Sequence, residues 1–589
     1  MTVYVNRMHN LFALSLIYSV SAASNVVVQT LNGKVRGYVL DIAGHNAVGT
    51  DVDELHVFLG VPYAEPPTGS LRFAYPVPRK PWAPTTLDAL RPAPACPQRN
   101  WFLRTYSFDS NYDNFNEDCL YLNIFVPQRH SNPNASYPIL FFVHGGSYQY
   151  GSGNEYDGRI LAQEGIVVVT VNYRVGALGF LSTDDDVVPG NYGLLDQLTA
   201  LKWVKNNIDR FHGDPSRITV DGQSAGGSGV SLHMFSPLAK DLFSGLIPQS
   251  GCALSPFAVY RPPTSPATAA RALAAAVGCP TTNSTQLIAC LRTKDALVLA
   301  NTRISGPPMI AAFAPRVDGF YLKELPEVLL AKRDYLRHVN VMTGYVPQVV
   351  SEDLEDIEGI DQGLTATHLR NLFRDKSDRY QGQTSNDVYH ALLCAYPPSN
   401  DVRRNRDYAV DMNSDYGYVV PHVKLAQALS TNGERVWLYD FTYRSPNTSK
   451  LDWIGVPHAE ELYYQFGAPF FDSSPCPGVR DVTCPSTWGT YQTWSDGDRQ
   501  VSQTTMRMWA DFVRMSNTST SFLSTGPDRG TWRQFEPGHN VLNISGATVH
   551  AAPLRLSPGQ RFWQSFNFLN LTADVTDVCG SQSSILVGK

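Results

Sequence analysis

A serine between closely spaced glycines is the first feature of the sequence that could do chemistry. Residues 222–227 read Gly-Gln-Ser-Ala-Gly-Gly and fit the pattern G-x-S-x-G, with Ser224 at its centre. In this pattern a sharp turn from a strand into a helix exposes the serine, and the flanking glycines let the two elements approach each other. We therefore predict that Ser224 is a nucleophile.

A second glycine-containing loop could supply the donors that such a nucleophile needs. His144-Gly145-Gly146-Ser147 follows a short apolar run, and loops of this type present backbone N–H groups to the oxyanion of a tetrahedral intermediate. We expect the N–H groups of Gly146, Ser147 and Ala225 to form this oxyanion hole.

The elements that must position these loops can be read from hydrophobic spacing. Short β-branched apolar runs at 139–143, 166–171 and 218–220 are typical of strands covered on both faces, and 191–211 has the apolar spacing of a helix. Strand, helix and strand in this order predict a parallel βαβ unit and the α/β class.

Composition restricts the remaining possibilities. The chain has 589 residues, of which 43% are hydrophobic and 17% charged, and its net charge is −6 without any basic run. These values exclude a disordered chain or a coiled coil and argue against nucleic acid as a partner. No internal repeat or long linker divides the chain, so residues 23–589 are predicted to form a single domain.

The N-terminus has the layout of a secretory signal. An apolar run at 11–20 is followed by small residues, which predicts a signal peptide at 1–22 and cleavage after Ala22. The run is too short to span a bilayer, and no later run is long enough for a transmembrane segment. We expect a secreted, extracellular protein.

Glycosylation acceptors and cysteines agree with export. Six Asn-x-Ser/Thr triplets predict glycosylation, at Asn134, Asn283, Asn447, Asn517, Asn543 and Asn570. Three cysteine pairs that lie close in the sequence predict disulfides, namely Cys96 with Cys119, Cys279 with Cys290, and Cys476 with Cys484. Of the other three, we expect Cys252 and Cys394 to be small buried hydrophobes. Cys579 is a candidate for a disulfide-linked dimer.

Together, several segments resemble the type-B carboxylesterase family, which includes cholinesterases, secreted lipases and animal carboxylesterases. The similar segments are 58–67 (FLGVPYAEPP), 71–73 (LRF), 117–124 (EDCLYLNI), 171–174 (VNYR), 190–197 (GNYGLLDQ), the Ser224 turn, and Pro315 with 317–319 (VDG). This resemblance implies an α/β-hydrolase fold, with a mostly parallel central sheet covered by helices on both faces. It also implies hydrolysis of a small-molecule ester substrate without a metal or cofactor.

The same resemblance implies the other members of a catalytic triad. Segment 455–462 (GVPHAEEL) is similar to the one that carries the family's catalytic histidine, which makes His458 the general base. The family places its acid five residues after a glycine that corresponds to Gly344, but this position is Val349 here. A lengthened loop would put Glu352 in the acid's place, with Asp353 as the alternative. In the competing interpretation, these acids belong to a solvated charge cluster.

The expected substrate also follows from the resemblance. An aromatic-rich segment between Cys96 and Cys119 matches a gorge wall or lid in the family, although it could equally be a stapled surface loop. Cholinesterases carry a tryptophan in this segment where Asp109 stands here, and the family usually has a carboxylate at Gln223. Both departures argue against acetylcholine. Phe257 resembles a residue of the acyl pocket, or is simply a core residue.

We therefore expect a secreted, glycosylated serine esterase that cleaves uncharged carboxylic esters. The alternatives are a cholinesterase-like adhesion or binding protein with an impaired triad, which the valine at 349 favours, and a lipase that acts at lipid interfaces.

Overall fold

The structure is a computed structural model. It describes residues 24–43, 47–99, 114–307, 310–378, 383–471, 493–515, 521–523, 531–536 and 540–566. Several sequence-based predictions lie outside the described residues. These concern the signal peptide at 1–22, most of the aromatic segment, Asp109, Cys476, Cys484, Cys579, Asn517 and Asn570.

Fifteen strands occur in the described part of the chain, and thirteen of them form one sheet. The strands are β1 (Asn25–Gln29), β2 (Lys34–Asp41), β3 (Glu54–Pro62), β4 (Thr86–Asp88), β5 (Tyr121–Gln128), β6 (Tyr137–Val143), β7 (Val167–Val171), β8 (Gly213–Gln223), β9 (Gly245–Gln249), β10 (Asn340–Tyr345), β11 (Val436–Phe441), β12 (Ser521–Leu523), β13 (Thr531–Arg533), β14 (Val541–Ile544) and β15 (His550–Ala552).

The centre of this sheet is parallel and its edges are antiparallel. The order is β1-β2-β3-β5-β7-β6-β8-β9-β10-β11-β14-β15, with β4 paired beside β2. Neighbours from β7 to β14 run parallel, whereas β1, β2, β3 and β5 form antiparallel pairs and β15 pairs antiparallel with β14. The carboxyl ends of the parallel strands therefore meet at one edge of the sheet, where loops can converge on a site.

Helices connect these strands. Their bounds are α1 (Arg159–Ala162), α2 (Gly176–Phe180), α3 (Tyr192–Asn207), α4 (Ala225–Met234), α5 (Ala267–Ala276), α6 (Ser284–Arg292), α7 (Ala296–Asn301), α8 (Pro326–Lys332), α9 (Ala366–Ser377), α10 (Gln383–Ala395), α11 (Val402–Ser414), α12 (Val420–Thr431), α13 (Glu460–Gln465), α14 (Asp496–Arg514) and α15 (Pro558–Ser565). A π-helical turn, Asp415–Val419, joins α11 to α12.

The core lies on both faces of the sheet, as the alternation of side chains along β6 makes clear. Phe141 belongs to a hydrophobic cluster that includes Leu198 of α3 and Val230 of α4. The next residue, Phe142, belongs to a separate cluster on the opposite face, together with Trp509 of α14. Successive side chains of a strand point to opposite faces, so helices cover the sheet on both sides.

The fold class predicted from the sequence is confirmed, and its central elements lie close to their predicted positions. Strands β6 and β7 match the two apolar runs, and α3 continues into the short 3₁₀ turn Ile208–Phe211. Strand β8 begins at Gly213, earlier than predicted, because Gly213 already pairs with Tyr137 of β6, whereas residues 214–217 are not fully buried and lack the apolar pattern of a covered strand. The large mixed sheet and its helices agree with the α/β-hydrolase fold.

Two of the predicted disulfides, Cys96–Cys119 and Cys279–Cys290, are formed within the chain. Cys252 is a buried free thiol, as expected. The expectation for Cys394 is wrong, because this cysteine is disulfide-bonded. Its side chain on α10 is only half-buried, so it can reach a partner rather than fill the core.

Within the described ranges, no helix combines the length and the apolar character needed to cross a membrane.

Candidate active site

Ser224 lies at the turn between β8 and α4, at the edge where the parallel strands end. Its backbone has φ 60° and ψ −126°, a conformation that residues with a side chain rarely adopt. The turn is fixed on both sides, since Ser224 N–H donates to Gln249 O at 2.8 Å and Ser224 O accepts from Ser228 N–H at 2.9 Å. The residue as a whole is 8% exposed. This is the geometry that the G-x-S-x-G pattern predicts.

Glycines are required at the two positions that the pattern specifies. A Cβ on Gly222 would lie 2.7 Å from backbone atoms of Gly226, and a Cβ on Gly226 would lie 2.2 Å from Val143 O. Neither contact is possible without moving the backbone, so the strand and the helix approach each other only because both side chains are absent.

The loop after β6 carries the proposed oxyanion donors. Gly146, Ser147 and Tyr148 all have positive φ, at 102°, 55° and 61°. The N–H groups of Gly146, Ser147 and Ala225 donate to no other residue that the structure describes. The base of the loop is held by Tyr173, whose hydroxyl donates to His144 O at 2.9 Å while its ring stacks on His144 at 4.3 Å. The loop therefore presents uncommitted donors on a fixed backbone.

His458 lies close to the turn that carries Ser224, but its orientation is only weakly fixed. The amide Nε2 of Gln223 is 3.4 Å from His458 Nδ1 and 3.3 Å from His458 Nε2. An N–H group cannot align with both ring nitrogens, and both distances exceed the usual hydrogen-bond length of about 3.0 Å. No hydrogen bond joins Ser224 to His458 in the described part of the chain. Burial lowers the pKa of His458 to about 4, so the imidazole is neutral at pH 7 and able to accept a proton.

The residues expected to supply the acid are placed differently. Val349 is 2% exposed and packs in the hydrophobic core. Glu352 Oε1 is 2.7 Å from Lys450 Nζ, which is also 3.5 Å from Glu460 Oε2. Among the described residues, no carboxylate forms a hydrogen bond with His458. The contact expected between Glu352 and His458 is therefore not formed, because Lys450 holds the Glu352 carboxylate.

Asp353, the alternative acid, faces the Ser224 side of the loop. It lines a cavity of about 420 Å³ together with Ser224 and Ser147, and burial and the neighbouring Glu352 raise its pKa. Asp353 also acts electrostatically on the hydroxyl of Tyr418, whose ring centroid is 5.2 Å from that of His458. Of the two candidate acids, Asp353 is thus the one whose side chain shares the nucleophile's cavity.

The rest of this cavity is mostly apolar. Phe257 packs against Tyr418 with ring centroids 5.0 Å apart, and both rings line the cavity beside Ser224. The other lining residues are Tyr148, Ile310, Ala311, Val350, Leu354 and Asn413. The possible acyl-pocket role of Phe257 agrees with this position. Tyr418 was not anticipated, because it comes from the π-helical turn, which has no clear sequence signal.

A buried polar network lies next to the turn that carries Ser224. Asp221 accepts hydrogen bonds from the side-chain amides of Gln249, at 2.7 Å, and Gln465. Burial raises the pKa of Asp221 to about 7, while these bonds oppose the rise. Ser250 donates to Glu461 at 2.8 Å, which ties the strand end of β9 to α13, directly after His458. The network fixes the two segments that carry Ser224 and His458 relative to each other.

Comparison with known proteins agrees with the observed fold. The profile of the carboxylesterase family matches residues 24–556. The chain is similar to carboxylesterase 1E of Rattus norvegicus, with 32% identity over 92% of this chain and 96% of the relative. It is 31% identical to acetylcholinesterase of Bungarus fasciatus, over 94% of this chain and 89% of the relative.

A third relative is of a different kind. Neuroligin-2 of Mus musculus is 32% identical over 85% of this chain, which spans only 62% of the length of that protein. Esterases and a neuroligin are thus related to the chain at the same level of identity. The match of the profile over most of its length, together with these relatives, shows that the chain belongs to the carboxylesterase family.

Proposed function

We propose that the chain is a serine esterase that hydrolyses carboxylic esters through an acyl intermediate on Ser224. One observation carries this proposal: Ser224 and the oxyanion loop residue Ser147 line the same cavity of about 420 Å³. Attack by a nucleophile on an ester carbonyl creates an oxyanion. The nucleophile and the N–H donors that stabilise this oxyanion must therefore face the same carbonyl group. Binding alone would not require this pairing.

The roles of the residues follow from their chemistry. Ser224 attacks the carbonyl, and His458 takes the hydroxyl proton and later returns it to the leaving alcohol. The N–H groups of Gly146, Ser147 and Ala225 stabilise the oxyanion. Removal of one such donor in a serine hydrolase costs about 10² to 10³ in rate. The neutral state of His458 at pH 7 supports its role as base.

Asp353 is our choice for the carboxylate that assists His458. It lines the cavity with Ser224, whereas Glu352 is held by Lys450. In this proposal Asp353 acts on the imidazolium electrostatically rather than through a direct hydrogen bond. A less well oriented base implies slow turnover relative to a complete triad.

The cavity also indicates what the reacting part of the substrate looks like. Its walls include the apolar residues Phe257, Ile310, Val350 and Leu354. The charged residue that lines it is Asp353, an acid and not a cation. We infer that the acyl or alcohol group beside Ser224 is uncharged and apolar.

Export and glycosylation belong to the same proposal. Disulfides persist in oxidising compartments, and two disulfides join pairs of described residues in this chain. Asn134, Asn283 and Asn447 are exposed, so their triplets are accessible to glycosylation. Asn543 is half-buried within β14 and is a poorer acceptor. Treatment of the secreted protein with a glycosidase should lower its apparent mass.

A fluorophosphonate probe tests the esterase directly. Folded protein should be labelled covalently, and Ser224→Ala should abolish the labelling. p-Nitrophenyl butyrate should be hydrolysed by the wild type, and His458→Gln should reduce kcat by several orders of magnitude. An unlabelled, inactive wild-type protein with a native circular dichroism spectrum would refute the proposal.

A second candidate is a binding protein that has the fold but lacks turnover. The observation in its favour is the buried Val349 where the family resemblance implies an acid, together with the weak hold on His458. In this case the cavity would bind a ligand without cleaving it. Absence of labelling and hydrolysis in the experiment above would favour this candidate.

A further inference from the structure

A second cavity lies beside the one that contains Ser224, and its charge is unusual. It has a volume of about 340 Å³ and is lined by two arginines, Arg99 and Arg303, without any aspartate or glutamate. Neither arginine forms an ion pair with a carboxylate among the described residues. Arg99 is half-buried and Arg303 is exposed where they line this cavity, so their positive charges are available to an anion.

The two cavities share a wall. Ala311 lines both, and the oxyanion loop passes from Ser147, in the first cavity, to Gln149 and Tyr150, in the second. Three residues of extended chain span at most about 11 Å, so the cavities are neighbours. The hydroxyl of Tyr150 hydrogen-bonds the Ser147 side chain and is influenced electrostatically by both Arg99 and Asp353. Tyr150 thus connects the nucleophile's cavity with the cavity that contains Arg99.

The polar surroundings favour a carboxylate as the ligand. Arg99 is half-buried and follows Gln98. The side-chain amide of Gln98 donates to Gly151 O at 2.8 Å and accepts from Gly151 N–H at 2.7 Å. Gln149 likewise donates its amide to Phe313 O at 2.6 Å. Because these amides are already bonded, the arginines are the charged donors that remain to bind a ligand, and a planar guanidinium matches a carboxylate.

We propose that this cavity is a subsite for a carboxylate at the far end of an ester substrate whose ester group reaches Ser224. The subsite deepens the proposed esterase function and rests on it. The preferred substrates are then monoesters of dicarboxylic acids, apolar beside Ser224 and negatively charged beside Arg99 and Arg303.

Binding to an inactive variant tests the subsite without relying on turnover. In the Ser224→Ala protein, dissociation constants are measured by calorimetry at low salt for monoethyl adipate and monoethyl suberate, and for their neutral ethyl methyl diesters. The anionic ligand should bind at least about tenfold more tightly than its neutral counterpart at one chain length, since charge-assisted hydrogen bonds are lost in the diester. Arg99→Gln or Arg303→Gln should reduce this ratio to about threefold or less.

Arg271 provides a matched control. It is exposed on α5 and lines neither cavity, so Arg271→Gln should leave the ratio unchanged. A ratio near one with both arginines present, or a ratio insensitive to both substitutions, would overturn the subsite. Equally tight binding of free adipate and its monoester would overturn the assignment to a substrate and leave a site for a free acid.

The outcome can be separated from that of the proposed function. Preferential binding by the Ser224→Ala protein without hydrolysis by the wild type would support the subsite and refute the esterase. The subsite would be refuted and the esterase supported by two results together. The wild type would hydrolyse mono-p-nitrophenyl adipate, but no faster than its neutral methyl diester, and the Ser224→Ala protein would bind the anionic and the neutral calorimetry ligands equally.

Discussion

Replacement of Gln223 by glutamate should change the pH dependence of the reaction strongly, because this side chain lies so close to His458. The amide nitrogen is 3.3 and 3.4 Å from the two ring nitrogens. A carboxylate oxygen at about 3.4 Å from an imidazolium interacts by about 5 kcal/mol at an effective dielectric constant of about 20. This energy corresponds to roughly three and a half pKa units.

The observed shift should be smaller than this limit. The new carboxylate is itself removed from water, which raises its own pKa and weakens its effect at acidic pH. We expect the pKa of His458 to rise from about 4 in the wild type to between about 5 and 7 in Gln223→Glu. Only the neutral imidazole can accept the Ser224 proton, so activity is present above this pKa and lost below it.

The assay is the pH profile of kcat/KM for p-nitrophenyl butyrate, which reports the free enzyme. The acid limb should move to higher pH by at least about one unit, and the plateau above it should rise, because the carboxylate stabilises the imidazolium formed during attack. Gln286→Glu adds the same charge on the exposed face of α6 and serves as the control. An acid limb that moves by the same amount in both variants, or in neither, would contradict the reasoning.

Three further predictions concern the acid, the core and the pH dependence of stability. Asp353→Asn should lower kcat for p-nitrophenyl butyrate at least tenfold. Glu352→Gln should lower it less than about threefold, since the Glu352 carboxylate is paired with Lys450. The opposite order would favour Glu352, the acid chosen from the sequence. Arg174→Met should destabilise the fold by about 3–5 kcal/mol in urea denaturation, because it leaves the fully buried Asp196 carboxylate unpaired, and a loss below about 1 kcal/mol would contradict this estimate. Burial lowers the pKa of His422 to about 3, so below pH 6.5 the unfolded chain gains a proton that the folded chain does not, and stability falls by up to about 1.4 kcal/mol per pH unit. His422→Gln should make the decrease in unfolding free energy between pH 6.5 and pH 3 shallower, and an equally steep decrease would show that this histidine does not contribute.

The parts of the site that depend on local sequence could be predicted. Ser224 lies at a turn whose geometry is determined by residues within a few positions, and Gly222 and Gly226 indicate the close approach of two backbones. Likewise, the parallel strands were visible because both of their faces are buried, which leaves continuous apolar runs such as that of β6.

The pairing of the candidate acids could not be predicted in this way, because it depends on contacts between distant segments. The family resemblance favoured Glu352, with Asp353 as the alternative, but Lys450, almost a hundred residues away, pairs with the Glu352 carboxylate. Tyr418 reaches the cavity through a π-helical turn, which arises from a local change in hydrogen bonding rather than from an apolar pattern. Arg99 and Arg303 line one cavity only after folding brings their loops together.

These differences bear on how activity can be inferred from the fold. The positive φ of Ser224 is imposed by the packing of β8 against α4, and this packing persists whether or not an acid supports His458. Backbone strain at the turn is therefore maintained by the fold and cannot by itself distinguish an esterase from a binding protein. The distinction depends on reactivity: a hydroxyl that shares a cavity with uncommitted N–H donors, beside a neutral imidazole, should still be acylated when the acid is poorly placed. A weakly held His458 should reduce the rate of each step without changing the nucleophile, so slow labelling of Ser224 by a fluorophosphonate is the behaviour that this site predicts.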